Sequence, residues 1–126
     1  MGTRVSGELQ GKKLDAPDER RRFNKGKLDV VHLEDFTVGR ATLEPGWRWS
    51  EHMKELAGTD SCEVAHVGCV LSGRMRIAME EEGPEQEFGP NEVFEIPSGH
   101  DAWVVGDEPC VVLDFSGADD YASEAK

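Results

Sequence analysis

An all-β fold, an antiparallel sandwich or barrel, is predicted by three features of the 126-residue sequence. Short stretches such as KLDVVHLE and FTVGRATLE alternate apolar and polar residues with the two-residue period of a strand. Turn signals (EPG, AGTD, EEGPE, GPN, PSG, GDEP) punctuate the chain at close intervals. No amphipathic helix of useful length interrupts this pattern.

Each strand has its own justification. After the two opening stretches, EVAHVGCVL, RMRIAM, EVFEI, AWVV and CVVLDF are each short, rich in β-branched or aromatic residues and bounded by turn residues. Residues 1–27 lack sustained periodicity and read as an N-terminal arm, docked on the body or on a dimer partner. The β domain spans 28–116, and 117–126 form a polar tail, frayed or a short helix. One domain is what this length allows.

Charge narrows the partners. The arm holds eight Lys/Arg against four acids, a balance of +4, which leaves −16 on the remainder of a chain whose net charge is −12. So acidic a body repels phosphate backbones, so nucleic acid is excluded as a partner. No apolar run approaches a membrane span, and the polar N-terminus has no signal-peptide core. Three cysteines without CxxC spacing point to reduced thiols and a cytoplasmic location. Cys69 and Cys110 read as buried, whereas Cys62 falls in a loop where exposure would make it reactive.

The chemistry concentrates around PGWRWSEHMKE, residues 45–55. Gly46 is followed by five residues and then His52; Lys54 stands two further on. His66 precedes Gly73 by a six-residue gap, and Pro97 and Gly99 lead into His100 and Ala102. These spacings resemble the two motifs of the cupin superfamily, G-x5-H-x-H-x3/4-E-x6-G and G-x5-P-x-G-x2-H-x3-N, and the wording resembles small single-domain bacterial cupins. Lys54 occupies the second histidine position and His66 the glutamate position. The insertion ELAGTDSCEVA separates them. In the second motif Asn91 replaces the leading Gly, Ala102 the His and Gly106 the Asn.

The resemblance covers residues 28–116 and implies a cupin-type jelly-roll β-barrel, a double-stranded β-helix. It also implies a homodimer, in keeping with edge strands that need covering. Three of the four histidines fall at or beside one cavity's ligand positions, making His52, His66 and His100 the expected metal ligands. Neutral imidazoles suit a divalent transition metal (Zn, Fe, Ni, Mn or Co).

Strand parity would place Ser50, His52 and Lys54 on one face, with Glu51, Trp47 and Trp49 on the other. The tryptophans then pack between sheet and arm or in a dimer contact, and Trp103 is structural. Lys54 complicates the metal reading, because two unit charges about 4 Å apart at an effective dielectric near 20 interact by roughly 4 kcal/mol. Two functions therefore stand open. One is a metal-dependent enzyme, oxygenase- or isomerase-like, acting on a small organic molecule with Lys54 and Glu51 as catalytic groups. The other is a metal-free binder or sensor in which Lys54 and the histidines hold an anion. A third reading, a structural or regulatory protein with a filled cavity, requires the absence of an open polar pocket.

Overall fold

The computed structural model describes residues 7–80 and 82–116. The expectation for the tail, 117–126, lies outside the described residues, as do the first six residues of the arm. Among the described residues, nine strands form two antiparallel sheets. In chain order they are β1 (Glu19–Phe23), β2 (Gly26–His32), β3 (Thr37–Leu43), β4 (His66–Ser72), β5 (Arg74–Met79), β6 (Glu85–Phe88), β7 (Val93–Ile96), β8 (His100–Val105) and β9 (Cys110–Asp114). The larger sheet has the order β1-β2-β3-β9-β4-β7 and the smaller β6-β5-β8. This is the jelly-roll architecture expected from the sequence.

Alternation along the strands builds the core. In β8, His100, Ala102 and Val104 are buried while Asp101, Trp103 and Val105 are less so; in β9 the buried set is Cys110, Val112 and Asp114. These faces meet Leu28, Val30, Leu43, Met75, Ile77, Phe94 and Ile96 between the sheets.

Two strands lie where the sequence shows no apolar alternation. Strand β1 falls within the segment read as an arm and pairs with β2 along its whole length. A charge pair to β2 adds to the backbone pairing, Arg20 donating to Asp29 at 2.5 Å, while Arg21 donates to Glu19 within β1 at 2.7 Å. Strand β6 emerges from an acidic stretch because Arg74 and Arg76 of β5 pair with Glu87 and Glu85. A third departure is local: the stretch after Arg48 is helical, with α1 (Trp49–His52) and α2 (Lys54–Ala57) forming two single turns. Strand parity therefore does not govern residues 49–57.

Asp29 explains the unusual burial of β2, which is buried on both faces from Leu28 to Val31. Its carboxylate has no exposed side-chain surface and meets Arg20, Arg40 and, at 3.7 Å, Lys27. Arg40 also reaches the Leu14 carbonyl and Asp15, tying residues 14–15 across the outer face of the sheet. Burial pushes the Asp29 pKa up, but the hydrogen bonds from Arg20 and Arg40 and the charge of Lys27 outweigh it and hold the carboxyl below its ordinary value. A depressed folded-state pKa stabilises the fold above the unfolded value, and that contribution disappears as pH falls through the folded one. Asp29→Ala is expected to cost about 2–3 kcal/mol in denaturant unfolding, below the ~3–5 kcal/mol of a fully buried pair because the guanidiniums keep some contact with water. The variant should also lose part of the wild-type decline in stability on acidification, which unfolding curves across acidic pH would measure.

Candidate metal centre

His66 opens β4, His100 opens β8, and Asp114 closes β9. Two of these meet because β4 and β9 approach closely at Gly68, which is in register with Asp114. A Cβ at Gly68 would lie 1.9 Å from the Leu113 carbonyl oxygen, so no side chain fits there. The close approach sets His66 Nδ1 against the Asp114 carboxylate in a short hydrogen bond.

The third donor arrives from the insertion. After α2 the chain returns to the barrel and Cys62 forms a backbone bridge with His100. The Cys62 amide donates to the His100 carbonyl at 2.8 Å, and the Gly99 amide donates to the Cys62 carbonyl at 2.7 Å. The start of the insert is tied to the same strand through the Arg48–Trp103 bridge. Ser50 strengthens that tie, donating its amide to Asp101 at 3.0 Å and its hydroxyl at 2.9 Å, and the Arg48 guanidinium stacks 4.3 Å from the Trp103 ring centroid.

Cys62, His66 and His100 thus offer one donor atom each, all within 4.8 Å of one another. Cys62 Sγ lies 3.8 Å from His66 Nε2, and the two imidazoles pack edge to face at 5.5 Å between centroids. His100 donates its Nδ1–H to the Pro97 carbonyl at 2.7 Å. Each histidine therefore has Nδ1 committed to an oxygen and presents Nε2 as the remaining nitrogen. That is the arrangement in which outer partners fix the tautomer of metal-ligating histidines. The donor set fits a divalent transition metal: two imidazoles and a thiolate leave a coordination position open.

Electrostatics favour the thiolate. Burial raises the Cys62 pKa, but the imidazoles of His100 and His66 outweigh it and bring the thiol down to about 6. Burial lowers the His66 pKa, but the Asp114 hydrogen bond and the adjacent Cys62 outweigh it and push the imidazole up to about 9. Without metal, the pair is thiolate and imidazolium between those two values. Cys110, buried and without such neighbours, is pushed up to about 12.

His66, His100 and Asp114 line a pocket whose other walls are apolar, among them Leu43, Met75, Ile77 and Phe94. Trp47 and Trp49, each 2% exposed, also line it. This differs from the outward placement expected from strand parity, because Trp49 lies in α1 and Trp47 in the irregular turn that leads to it rather than in a strand. Trp103 lies on the opposite face of β8 from His100, as expected.

Of the three histidines expected as ligands, His66 and His100 come together and His52 does not join them. His52 sits in α1, where the Arg48 amide donates to its Nδ1 at 3.0 Å. Lys54 and Glu51 are exposed. Lys54 Nζ lies 3.6 Å from Asp60, and neither Lys54 nor Glu51 lines the pocket. Cys62, expected in an exposed loop, is 2% exposed. Asp114 was not among the expected site residues, although its parity with Cys110 and Val112 in CVVLDF was available as a signal.

No protein-family model and no curated protein sequence matches the chain. Solved structures do. A protein of unknown function from Rhizobium leguminosarum bv. viciae superposes with a TM-score of 0.60 at 17% identity, over 86% of this chain and 96% of that one. The formate complex of Lactobacillus farciminis oxalate decarboxylase has a TM-score of 0.60 at 18% identity, over 90% of this chain but 35% of that one. A variant of Bacillus subtilis oxalate decarboxylase also has a TM-score of 0.60, at 15% identity, over 90% and 31% respectively. At these identities the likeness is one of fold, and the fold is the cupin-type jelly roll.

In metal-free protein the ultraviolet absorbance of the Cys62 thiolate should be lost as pH falls through about 6. It should be absent from Cys62→Ser. His66→Ala should move the midpoint upward, since one of the two stabilising imidazoles is gone.

Proposed function

We propose that this protein is a small metal-dependent enzyme, oxygenase- or isomerase-like, in which Cys62, His66 and His100 hold a divalent transition metal at the wall of an apolar pocket. The observation that supports this reading best is the convergence of three donors whose supporting hydrogen bonds are already made. Both Nδ1 atoms are committed, to Asp114 and to Pro97, and Cys62 is fixed by its backbone pairing with His100. The thiolate favours metals of borderline softness, zinc, iron, nickel or cobalt, over manganese.

A metal held there supplies Lewis acidity toward an oxygen-bearing ligand and lowers the pKa of a coordinated water. The chain's own residues do the remainder. Asp114 keeps the His66 ring oriented and its Nδ1 protonated, Pro97 does the same for His100, and the apolar walls exclude competing water. Lys54 and Glu51, outside the pocket, have no role at the reacting centre in this reading.

The metal-free anion-binding alternative loses Lys54, which is exposed beside Asp60. A different second reading has a specific observation behind it: the Cys62 thiolate beside a His66 imidazolium oriented by Asp114 is also the arrangement of an activated nucleophile. Metal content separates the two. Protein purified without a metal-affinity tag is expected to contain, or take up from zinc solution, one metal ion per chain by elemental analysis. Cys62→Ser and His66→Ala should abolish that uptake, and His52→Ala should retain it. Substoichiometric metal after reconstitution would favour the nucleophile. Asp114→Asn should weaken zinc binding by about 10–100-fold. Because His66 must lose its proton and Cys62 has already lost its own, zinc binding near neutral pH should release about one proton, measurable by calorimetry in buffers of different ionisation enthalpy.

The proposed partners are a small-molecule substrate and a second copy of this chain. Val67, Leu71, Val93 and Phe115 are exposed together on the outer face of β4, β7 and the end of β9, a surface suited to a self-complementary two-fold contact. A Val93→Glu substitution should shift the mass in solution from dimer to monomer. No described helix is long and apolar enough to cross a membrane. Three free cysteines among the described residues support the proposed cytoplasmic location.

A further inference from the structure

The cavity beside the metal centre is sorted by polarity. His66, His100 and Asp114 are the polar members of its lining, and they lie together. His66 is hydrogen-bonded to Asp114, and the two imidazole rings pack at 5.5 Å between centroids. Every other lining residue among those described is aliphatic, aromatic or thioether. One wall can therefore meet a polar group, and the rest can meet only hydrocarbon or ring.

The strands account for the space. In the larger sheet Ala41 of β3 stands in register between Leu28 of β2 and Val112 of β9. In the smaller sheet Ala102 of β8 is paired with Ile77 of β5 and shares the inward face of its strand with His100. All five are buried and line the cavity. Each sheet thus sets a single methyl among larger inward side chains, and the cavity measures about 60 Å³. One water needs about 10–15 Å³ and two or more polar partners, whereas apolar cavities stay dry and take up hydrocarbon. A molecule polar at both ends would bury one end without a hydrogen bond, a cost that a molecule polar at one end avoids.

We infer that this cavity seats the short aliphatic body of a molecule with a single polar end, that end lying at His66 and His100, and that Ala41 and Ala102 set the size admitted. As a substrate class the assignment rests on the metal-centre reading above; as a binding site it rests on the cavity alone.

The test uses methyl-labelled protein read by nuclear magnetic resonance, with and without one equivalent of zinc. Two probes of equal length are titrated: 1-butanol, polar at one end, and 1,4-butanediol, polar at both. 1-Butanol is expected to move the methyl resonances of Leu28, Ile77 and Val112 in a saturable way. The diol should bind about ten- to hundredfold more weakly, the range spanned by burying one unpaired hydroxyl. Ala102→Leu and Ala41→Val fill the space with added carbons, and each should bind 1-butanol at least about tenfold more weakly. Stationary methyl resonances, equal affinity for the two alcohols, or unchanged 1-butanol binding in the filled variants would each overturn the inference. If neither variant folds, the wild-type resonances and the order of the two probes still decide it. Zinc uptake is measured on the same samples. Zinc bound with no response to 1-butanol defeats this inference alone. A response to 1-butanol in protein that takes up no zinc upholds the aliphatic seat and defeats the metal reading together with the substrate class drawn from it.

Discussion

The contact between His66 and Asp114 is the one on which the arrangement of this molecule turns. It crosses from β4 to β9 inside the larger sheet, and it exists because Gly68 lets the two backbones approach to a distance that any Cβ would forbid. One consequence is orientational: a carboxylate on Nδ1 fixes which nitrogen of His66 faces Cys62. Another is electrostatic, since the carboxylate sustains an imidazolium, which in turn sustains a thiolate in surroundings that would otherwise protonate it. Removing Asp114 would therefore disturb His66 and, through it, Cys62.

The second half of the site depends on backbone pairing rather than side-chain contact. Cys62 is placed by hydrogen bonds to His100 and Gly99, and Gly99, at φ +88°, adopts a conformation that favours glycine. The PSG turn thus serves two ends: it presents His100 at the start of β8 and receives the returning insert. Both histidines are carried by strand ends within regular sheets, whereas the thiol is carried by a loop that the sheets merely anchor.

That division explains what the sequence makes legible. Seven of the strands follow from alternation of apolar residues, and His66 and His100 follow from motif spacing, because strands and their turns are local features. The two strands without apolar alternation, β1 and β6, are held by Arg–Glu and Arg–Asp pairs whose partners lie on neighbouring strands, and no periodicity within one strand reveals them. A strand rule misplaces Trp49 and His52, which lie in a helical turn, and Trp47, which lies in the irregular turn before it. The path of the insert, and hence the convergence of Cys62 with the histidines, is a tertiary outcome with no local signature. Asp114 lay in plain view as an acid at an inward position of an apolar strand, a placement that is costly unless a partner waits for it.

The insert between Arg48 and Cys62 is fastened to β8 at both of its ends and contributes no strand to either sheet. Trp49 and Met53 tie it into the core, but its exposed positions, Glu51, Lys54, Glu55, Gly58 and Asp60, belong to no strand and can change without altering a register in the barrel. What would change is the atom delivered beside His66 and His100: sulfur here, and nitrogen or oxygen in a loop of different sequence. Evolution could therefore retune the reactivity of this scaffold by changing the residue that this non-strand segment delivers at position 62, leaving both sheets untouched.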